Sequence, residues 1–320
     1  MSEPEDTPKQ HTFSASQVET YLLCRRKWAF AKIAKLRYPA KPSAALGSAV
    51  HEELERYLAG EPLDFSRDDQ AGYIAASGVH LLPEPGAPGM NIEKPFDFSS
   101  VRTCFRWLGR KDIEIEDTRI FPEDPENPGA ELGGVPGVSD HKTTSGIGWA
   151  KKPEDLEFDV QANLYGYELL TSKDAPAGDL VWTYYQTKGG RRAKRTHLRV
   201  FRPHVERMFG LIEDVAEEMA AYETEFELGH GGQDPVAFVQ TMPANPTACT
   251  AFGGCEHQHV CVLSLRERMR SIMPGVSLLD SLKKRAQEGA APEATPVNVN
   301  PPAEDVATPP APPVVAEPTP

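Results

Sequence analysis

A mixed α/β domain, a small sheet flanked by helices, is what this sequence predicts. Three observations carry that expectation. Asp112-Ile113-Glu114-Ile115-Glu116 alternates polar and apolar residues, as a half-buried strand does. Residues 179–187 and 196–202 read as two further strands, joined by the turn Lys188-Gly189-Gly190-Arg191-Arg192-Ala193-Lys194-Arg195. Over residues 154–173 the pattern changes to helical spacing, with Leu156, Val160, Leu164, Tyr167 and Leu170 along one side.

The remaining elements follow in order. Residues 1–11 read as a flexible leader. From Ser14 to about Leu36 a helix is predicted, capped by Ser14 or Ser16, with Val18, Tyr21, Leu22, Trp28 and Ile33 near helical spacing. Pro39 and Pro42 break it, and a second helix runs roughly from Ser43 to Leu58, ending at Gly60. Residues 61–98 are rich in Gly and Pro and predict short helices and loops. Residues 122–134 read as a loop or hairpin turn, and Val135 to Thr143 as a short strand. A long helix over about 203–227 leads to a cysteine-bearing segment and a short helix near 262–271. From about Gly275 the chain is dominated by Pro, Ala, Val and Glu. Residues 275–320 are therefore expected to be a mostly disordered tail, open to binding another protein. One folded domain over residues 12–274 is left between leader and tail.

Composition bounds the function. A chain of 320 residues, 39% hydrophobic and 25% charged, has ample length for a core and the balance of a soluble globular protein. No apolar run reaches the roughly 18 residues a membrane helix needs. The opening MSEPEDTPKQ lacks the apolar stretch of a secretory signal, so a cytoplasmic protein without a membrane partner is expected. The net charge of −13 argues against a uniformly basic nucleic-acid surface. It leaves room for a local basic groove, and a carboxylate metal site adds negative charge of its own.

The chemistry concentrates in Val138-Ser139-Asp140-His141-Lys142-Thr143-Thr144. On a strand, Asp140 and Lys142 point to the same face. An acid beside a lysine can hold a divalent metal and position a water against a phosphate. A salt-bridged strand end would carry the same tripeptide. In Gly47-Ser48-Ala49-Val50-His51, a small residue one turn before His51 allows close helix–sheet packing that brings the imidazole to a metal. Gln161 and Tyr165, at i and i+4, share one helix face and can hydrogen-bond to site carboxylates or phosphates. Lys188, Arg191, Arg192, Lys194 and Arg195 gather cations at one turn, which suits phosphate tracking along DNA.

The order G-x-x-x-H, D-x-K-T, Q-x-x-x-Y resembles the RecB-like branch of the PD-(D/E)XK nucleases. Ser14-Ala15-Ser16-Gln17-Val18, with Tyr21-Leu22-Leu23-Cys24-Arg25-Arg26-Lys27-Trp28, is similar to the start of that branch, and so is Cys249-Thr250-Ala251-Phe252-Gly253-Gly254-Cys255 continuing to Cys261. Phage-encoded members and CRISPR-associated exonucleases share this layout. The resemblance spans roughly residues 12–265. It implies a restriction-endonuclease-like core and a Mg2+- or Mn2+-dependent DNA exonuclease or end-processing activity. The expected substrate is single-stranded DNA or DNA ends, in replication, recombination or repair, with a helicase or recombination partner. His51 and Asp140 would bind metal, Lys142 would position the water, and Gln161 and Tyr165 would support the site.

Of the five cysteines, Cys104 stands apart, while Cys24, Cys249, Cys255 and Cys261 form a set of four. In a cytosolic chain such a set reads as metal ligands before disulfides. Four thiolates suit a [4Fe–4S] cluster or zinc, and the tight C-x2–4-C pairs favoured by zinc are absent. The resemblance implies the iron–sulfur cluster, tying the N-terminal helix to the C-terminal segment.

One departure stands out. Members of the branch carry a first acid in a G-x-(I/V)-D strand ahead of D-x-K, and here Gly137-Val138-Ser139-Asp140 runs straight into His141-Lys142. Asp140 can be one acid and not both. If the strand near 112–120 pairs antiparallel with 135–142, Glu114 or Glu116 lies opposite Asp140 and Lys142, and Glu116 is taken as the second carboxylate. Glu53 projects elsewhere on its helix. A chain that lacked the second acid would be a catalytically impaired DNA-binding or scaffolding protein.

Overall fold

The computed structural model describes residues 10–126, 132–229 and 234–264, with Glu267 and Lys283 besides. The chain opens with a two-residue strand, β1 (Thr12–Phe13), and three helices, α1 (Ala15–Leu23), α2 (Arg25–Lys32) and α3 (Pro42–Leu58). The single helix expected over 14–36 is two, because Cys24 adopts an extended conformation (φ −162°, ψ 111°) between them. Proline sits in the first turn of α3, where its missing N–H costs nothing.

After the short α4 (Ala71–Ala76) come β2 (Met90–Ser99), β3 (Arg106–Ile115) and β4 (Gly137–Thr144). Strand β2 lies in the region expected to be loops and short helices. It hides there because it is an outer strand that tolerates Pro95 and takes a left-handed residue at Glu93 (φ 51°). The helix expected over 154–173 is interrupted into α5 (Pro153–Leu156) and α6 (Val160–Ser172), the latter capped by the Asp159 carboxylate, which accepts the Ala162 N–H. The hairpin of β5 (Ala177–Gln186) and β6 (Ala193–Phe201) is where the sequence places it, followed by α7 (Arg202–Gly229) and α8 (Pro235–Thr241). Of the helix expected near 262–271, residues 262–264 are described and are not helical, while the rest and the tail lie outside the described residues, Glu267 and Lys283 apart.

The six strands form one mixed sheet in the order β1-β3-β4-β5-β6, with β2 on the free edge of β3. Alternation sorts their side chains into two cores. Leu180, Trp182 and Tyr184 face α1, α2, α6 and α7, whereas Val181 and Tyr185 join Ile113 and Ile115 under α3 and α4. Helices thus cover both faces of the sheet. Among the described residues no helix is long and apolar enough to cross a membrane.

The feature that positions the site is a fork. Strands β4 and β5 pair in parallel along the whole of β4, from Gly137↔Asp179 to Thr144↔Gln186. Strands β3 and β4 pair over three residues only, Ile113↔Ser139, Glu114↔Val138 and Ile115↔Gly137. Past Ile113 the two separate, and β1 takes the far end of the same β3 edge, at Arg106 and Trp107.

Candidate active site

Asp112 and Asp140 are the first residues beyond the last β3–β4 pair, at the crotch of the fork. Separating two strands orphans backbone groups, which must find other partners. The Asp112 carboxylate accepts the N–H of His141 at 2.6 Å, and the Tyr165 hydroxyl donates to the carbonyl of Arg110 at 2.6 Å. Site side chains therefore complete the ladder that the backbone abandons.

The two faces of the sheet each contribute. From α3, His51 Nδ1 lies 3.4 Å from Asp112 Oδ2. Gly47 permits that approach, since a Cβ there would stand 3.0 Å from Thr143 Oγ1. From α6, Gln161 reaches the opposite face of β4. Its Nε2 donates to Asp140 Oδ1 at 2.9 Å and to Tyr165 Oη at 2.8 Å, while its Oε1 accepts from Lys142 Nζ at 2.8 Å. Lys142 also forms an ion pair with Asp140. His51, Asp140, Lys142, Gln161 and Tyr165 are thus brought together around the fork, as the motif order suggests.

The second carboxylate is corrected. The observed register sets Glu114 against Val138, so Glu116 falls beyond the end of β3. Its side chain is 65% exposed, 4.0 Å from Lys173. Glu114 is buried against Lys111, Lys94 and Lys173. Asp112 takes the position instead. The signal that could have found it is Gly109-Arg110-Lys111-Asp112, a Gly-x-x-Asp stretch with lysine where a β-branched residue is expected. Gly109 is needed because a Cβ there would come within 2.2 Å of the Phe96 ring on β2. Lys111 can occupy the apolar slot because its ammonium is paired with Glu114 and Glu168 and lies 5.7 Å from the Phe96 ring centre. Glu53, set aside from the sequence, is buried and accepts the Asp64 N–H at 2.8 Å, away from the site.

The electrostatics separate the two acids. Burial, reinforced by the Asp112 charge, pushes the Asp140 carboxyl up to about 6 despite Lys142. Burial acts in the same sense on Asp112, but hydrogen bonds from His51 and the His141 N–H, with the nearby imidazoles, outweigh it and bring that carboxyl down to about 2. For Lys142 and His51, burial favours the neutral form and is outweighed by Asp140 and Asp112 respectively, so both are raised. His141, buried beside Tyr185 and 5.9 Å from His51 between ring centres, is pushed down to about 4 by burial and stays neutral. Glu19 of α1 belongs to no sequence motif that marks it for the site. Burial, with Asp159 next in weight, raises it to about 7, within the field of Lys151, Lys142 and Asp140.

His51, Asp112 and Asp140 are the residues at the fork whose chemistry could hold Mn2+ or Mg2+, through two carboxylates and one imidazole. Asp140 is buried, and its Oδ2 is paired with the Lys142 ammonium. Among the described residues no three His, Cys, Asp or Glu side chains form a ready-made ion site. As arranged, the acids are neutralised by Lys142 and His51.

Cys24, Cys249, Cys255 and Cys261 line a single cavity of about 170 Å3, beside Lys27 and His257. None of them is in a disulfide, and Cys104 is exposed elsewhere. Burial and the three neighbouring thiols raise Cys249. Two donors already point at sulfur: the Asn245 N–H at 3.4 Å from Cys24 Sγ and Arg26 Nη1 at 3.6 Å from Cys261 Sγ. Arg26 is itself buried and donates to the carbonyls of Gln240, Met242 and Val262.

The basic turn is only partly a cationic surface. Lys188, Arg191 and Arg192 are exposed and Lys194 half-buried. Arg191 donates to Gln70 and lies 4.6 Å from the Tyr73 ring centre. Arg195, placed among the DNA contacts by sequence, is corrected: it is 5% exposed, inside β6, and donates to the carbonyls of Leu81 and Pro122.

No curated protein matches the chain. The crystal structure of SSO0001 is similar to it at 15% identity, over 67% of this chain and 79% of that one, with a TM-score of 0.34. The family model of the PD-(D/E)XK nuclease superfamily matches residues 12–87, the segment that carries Cys24 and His51.

Proposed function

We propose that this chain is a metal-dependent DNA nuclease of the RecB-like type, working from strand ends in replication, recombination or repair in the cytoplasm. The observation that supports it most is the meeting of Asp112, Asp140 and Lys142 at the fork, with His51 from one face and Gln161 from the other. His51, Asp112 and Asp140 would hold Mg2+ or Mn2+, which supplies Lewis-acid polarisation of the phosphate and a more acidic water. Lys142, raised by its carboxylate neighbour, stays protonated. It therefore acts as a cation and hydrogen-bond donor that orients the nucleophile and faces the phosphate charge, and not as a base. Gln161 bridges Lys142 and Asp140 and fixes their spacing. Tyr165, anchored to the Arg110 carbonyl, holds Gln161 in turn.

The four cysteines are proposed to hold a [4Fe–4S] cluster. Their convergence on one cavity supports it, as do the N–H groups aimed at two of the sulfurs, the usual way a protein tunes bound thiolate. Stoichiometric zinc in a colourless preparation would replace that assignment.

The test is digestion of labelled single- and double-stranded DNA with Mn2+, comparing wild type with Lys142→Ala. Loss of cleavage in the variant is expected. Equal cleavage by both proteins would remove the catalytic assignment. The impaired, scaffolding alternative requires that the second acid be missing, and the position of Asp112 beside Asp140 favours the active reading.

A further inference from the structure

Trp149 is 80% exposed, whereas Trp28, Trp107 and Trp182 are 2%, 0% and 1% exposed. An indole in water on a mobile loop would call for little comment, but this one is braced. It ends a 3-10 turn, Ile147–Trp149, that begins three residues after β4. The Ile147 N–H donates to Gln186 Oε1 at 3.0 Å, and the N–H groups of Trp149 and Ala150 close the turn onto Gly146 and Ile147 at 3.0 Å each. Ile147 and Ala150 pack against the core, so the turn points its apolar neighbours inward and its indole outward. The Thr196 hydroxyl holds the following carbonyl, that of Lys151, at 2.8 Å.

Both ends of this segment lead to the site. It leaves β4 two residues past Lys142, and Lys151 pairs with Asp159, the cap of α6, two residues before Gln161. Exposed Lys152 follows the indole by three residues, beyond Ala150 and the Asp159-paired Lys151. An exposed aromatic face on a braced backbone, with a cation close by in the chain and the proposed cleavage site at the end of β4, matches what an unpaired strand needs: a surface for a base and charge for its phosphates. A paired base inside a duplex offers no free face.

We propose that Trp149 is a stacking platform for a base of single-stranded DNA as the strand passes the Asp140–Lys142 site, which makes the unpaired strand the preferred substrate. This rests on the nuclease reading for its substrate, though it can be tested without cleavage.

Because the other three tryptophans are buried, Trp149 dominates any change in indole emission on binding. The experiment is titration of the full chain with an oligothymidylate in the absence of divalent cation, read by intrinsic fluorescence and by anisotropy of a labelled oligomer. Saturable quenching is expected, weaker with a blunt duplex. Trp149→Ala should lose the quenching and bind about five- to 150-fold more weakly, the effect of removing one base–aromatic stack. Trp149→Phe should retain most of the affinity. Unchanged emission while anisotropy reports binding, or Trp149→Ala binding as tightly as wild type, would overturn the proposal. Mn2+-dependent cleavage alongside unchanged emission would sink the platform and spare the nuclease. Quenching without cleavage would support the platform and sink the nuclease.

Discussion

The Asp112 carboxylate accepts the backbone N–H of His141 at 2.6 Å, across two strands that have already separated. One side chain thus serves two purposes. It caps an orphaned ladder group, and it sets a carboxylate opposite Asp140. The two purposes can be separated by substitution. Asp112→Asn keeps an oxygen for the His141 N–H, so its unfolding free energy should stay within about 1 kcal/mol of wild type, while Asp112→Ala should lose about 1–3 kcal/mol by leaving that donor buried and unpaired. Chemical denaturation of the two variants distinguishes them. Equal stability of both would mean that the carboxylate does not complete the ladder.

Tyr165→Phe removes the hydroxyl that satisfies the Arg110 carbonyl and frees Gln161 from one of its partners. The expected cost is about 1–2 kcal/mol of stability, with a fall in cleavage smaller than that caused by Lys142→Ala. Denaturation and cleavage rates on the same preparation report both. A Tyr165→Phe variant as inactive as Lys142→Ala would assign the hydroxyl a direct role in the reaction.

Arg195 and Lys188 should part company although they belong to one cationic cluster in the sequence. Arg195→Ala strips hydrogen bonds from buried carbonyls and should destabilise the fold by about 2–4 kcal/mol. Lys188→Ala together with Arg191→Ala should leave stability within about 1 kcal/mol. The double variant should also flatten the salt dependence of DNA binding, by up to one unit of slope for each lost phosphate contact. Oligonucleotide affinity measured against salt concentration, beside thermal unfolding, tests both statements. An unaltered slope would remove the turn from the DNA surface.

Asp179 predicts an acid limit to stability. Burial alone would raise its carboxyl, but His197, Arg199 and Thr118 together bring it down to about 2. A depressed folded value stabilises the protein above the unfolded value of 3.8, and that contribution is lost as pH falls from there towards 2. The contribution is about 1–2 kcal/mol, so Asp179→Asn should unfold more readily than wild type at neutral pH and by a smaller margin near pH 2. A margin that did not shrink with acid would show that Asp179 acts through packing alone.

The hairpin of β5 and β6, the second helix and the D-x-K strand were legible in the sequence because their periodicity and turn residues agree with their tertiary surroundings. The placement of His51 was legible too, since Gly47 leaves room for it. Strand β2 was not, because an outer strand tolerates the Pro95 that argues against a strand elsewhere. Which acid lies beside Asp140 was not legible for a different reason. Asp112, Glu114 and Glu116 alternate alike along one strand, and local pattern cannot choose among them. The choice is made by the register Ile113↔Ser139 and by where β3 and β4 part, both set by packing beneath α3 and α6. Lys111 masked the Gly-x-x-Asp spacing, since its burial depends on Glu114 and Glu168, the latter supplied by a helix far along the chain.

The most direct measurement is Mn2+-dependent digestion of labelled DNA by wild type, Asp112→Asn and Glu116→Gln side by side. With Asp112 as the second carboxylate, Glu116→Gln should cleave within about twofold of wild type, whereas Asp112→Asn should fall by at least about 100-fold, since even the groups that merely support metal ligands cost about 10–100-fold when removed. Undiminished cleavage by Asp112→Asn, or its loss in Glu116→Gln, would contradict the placement of the site at the β3–β4 fork.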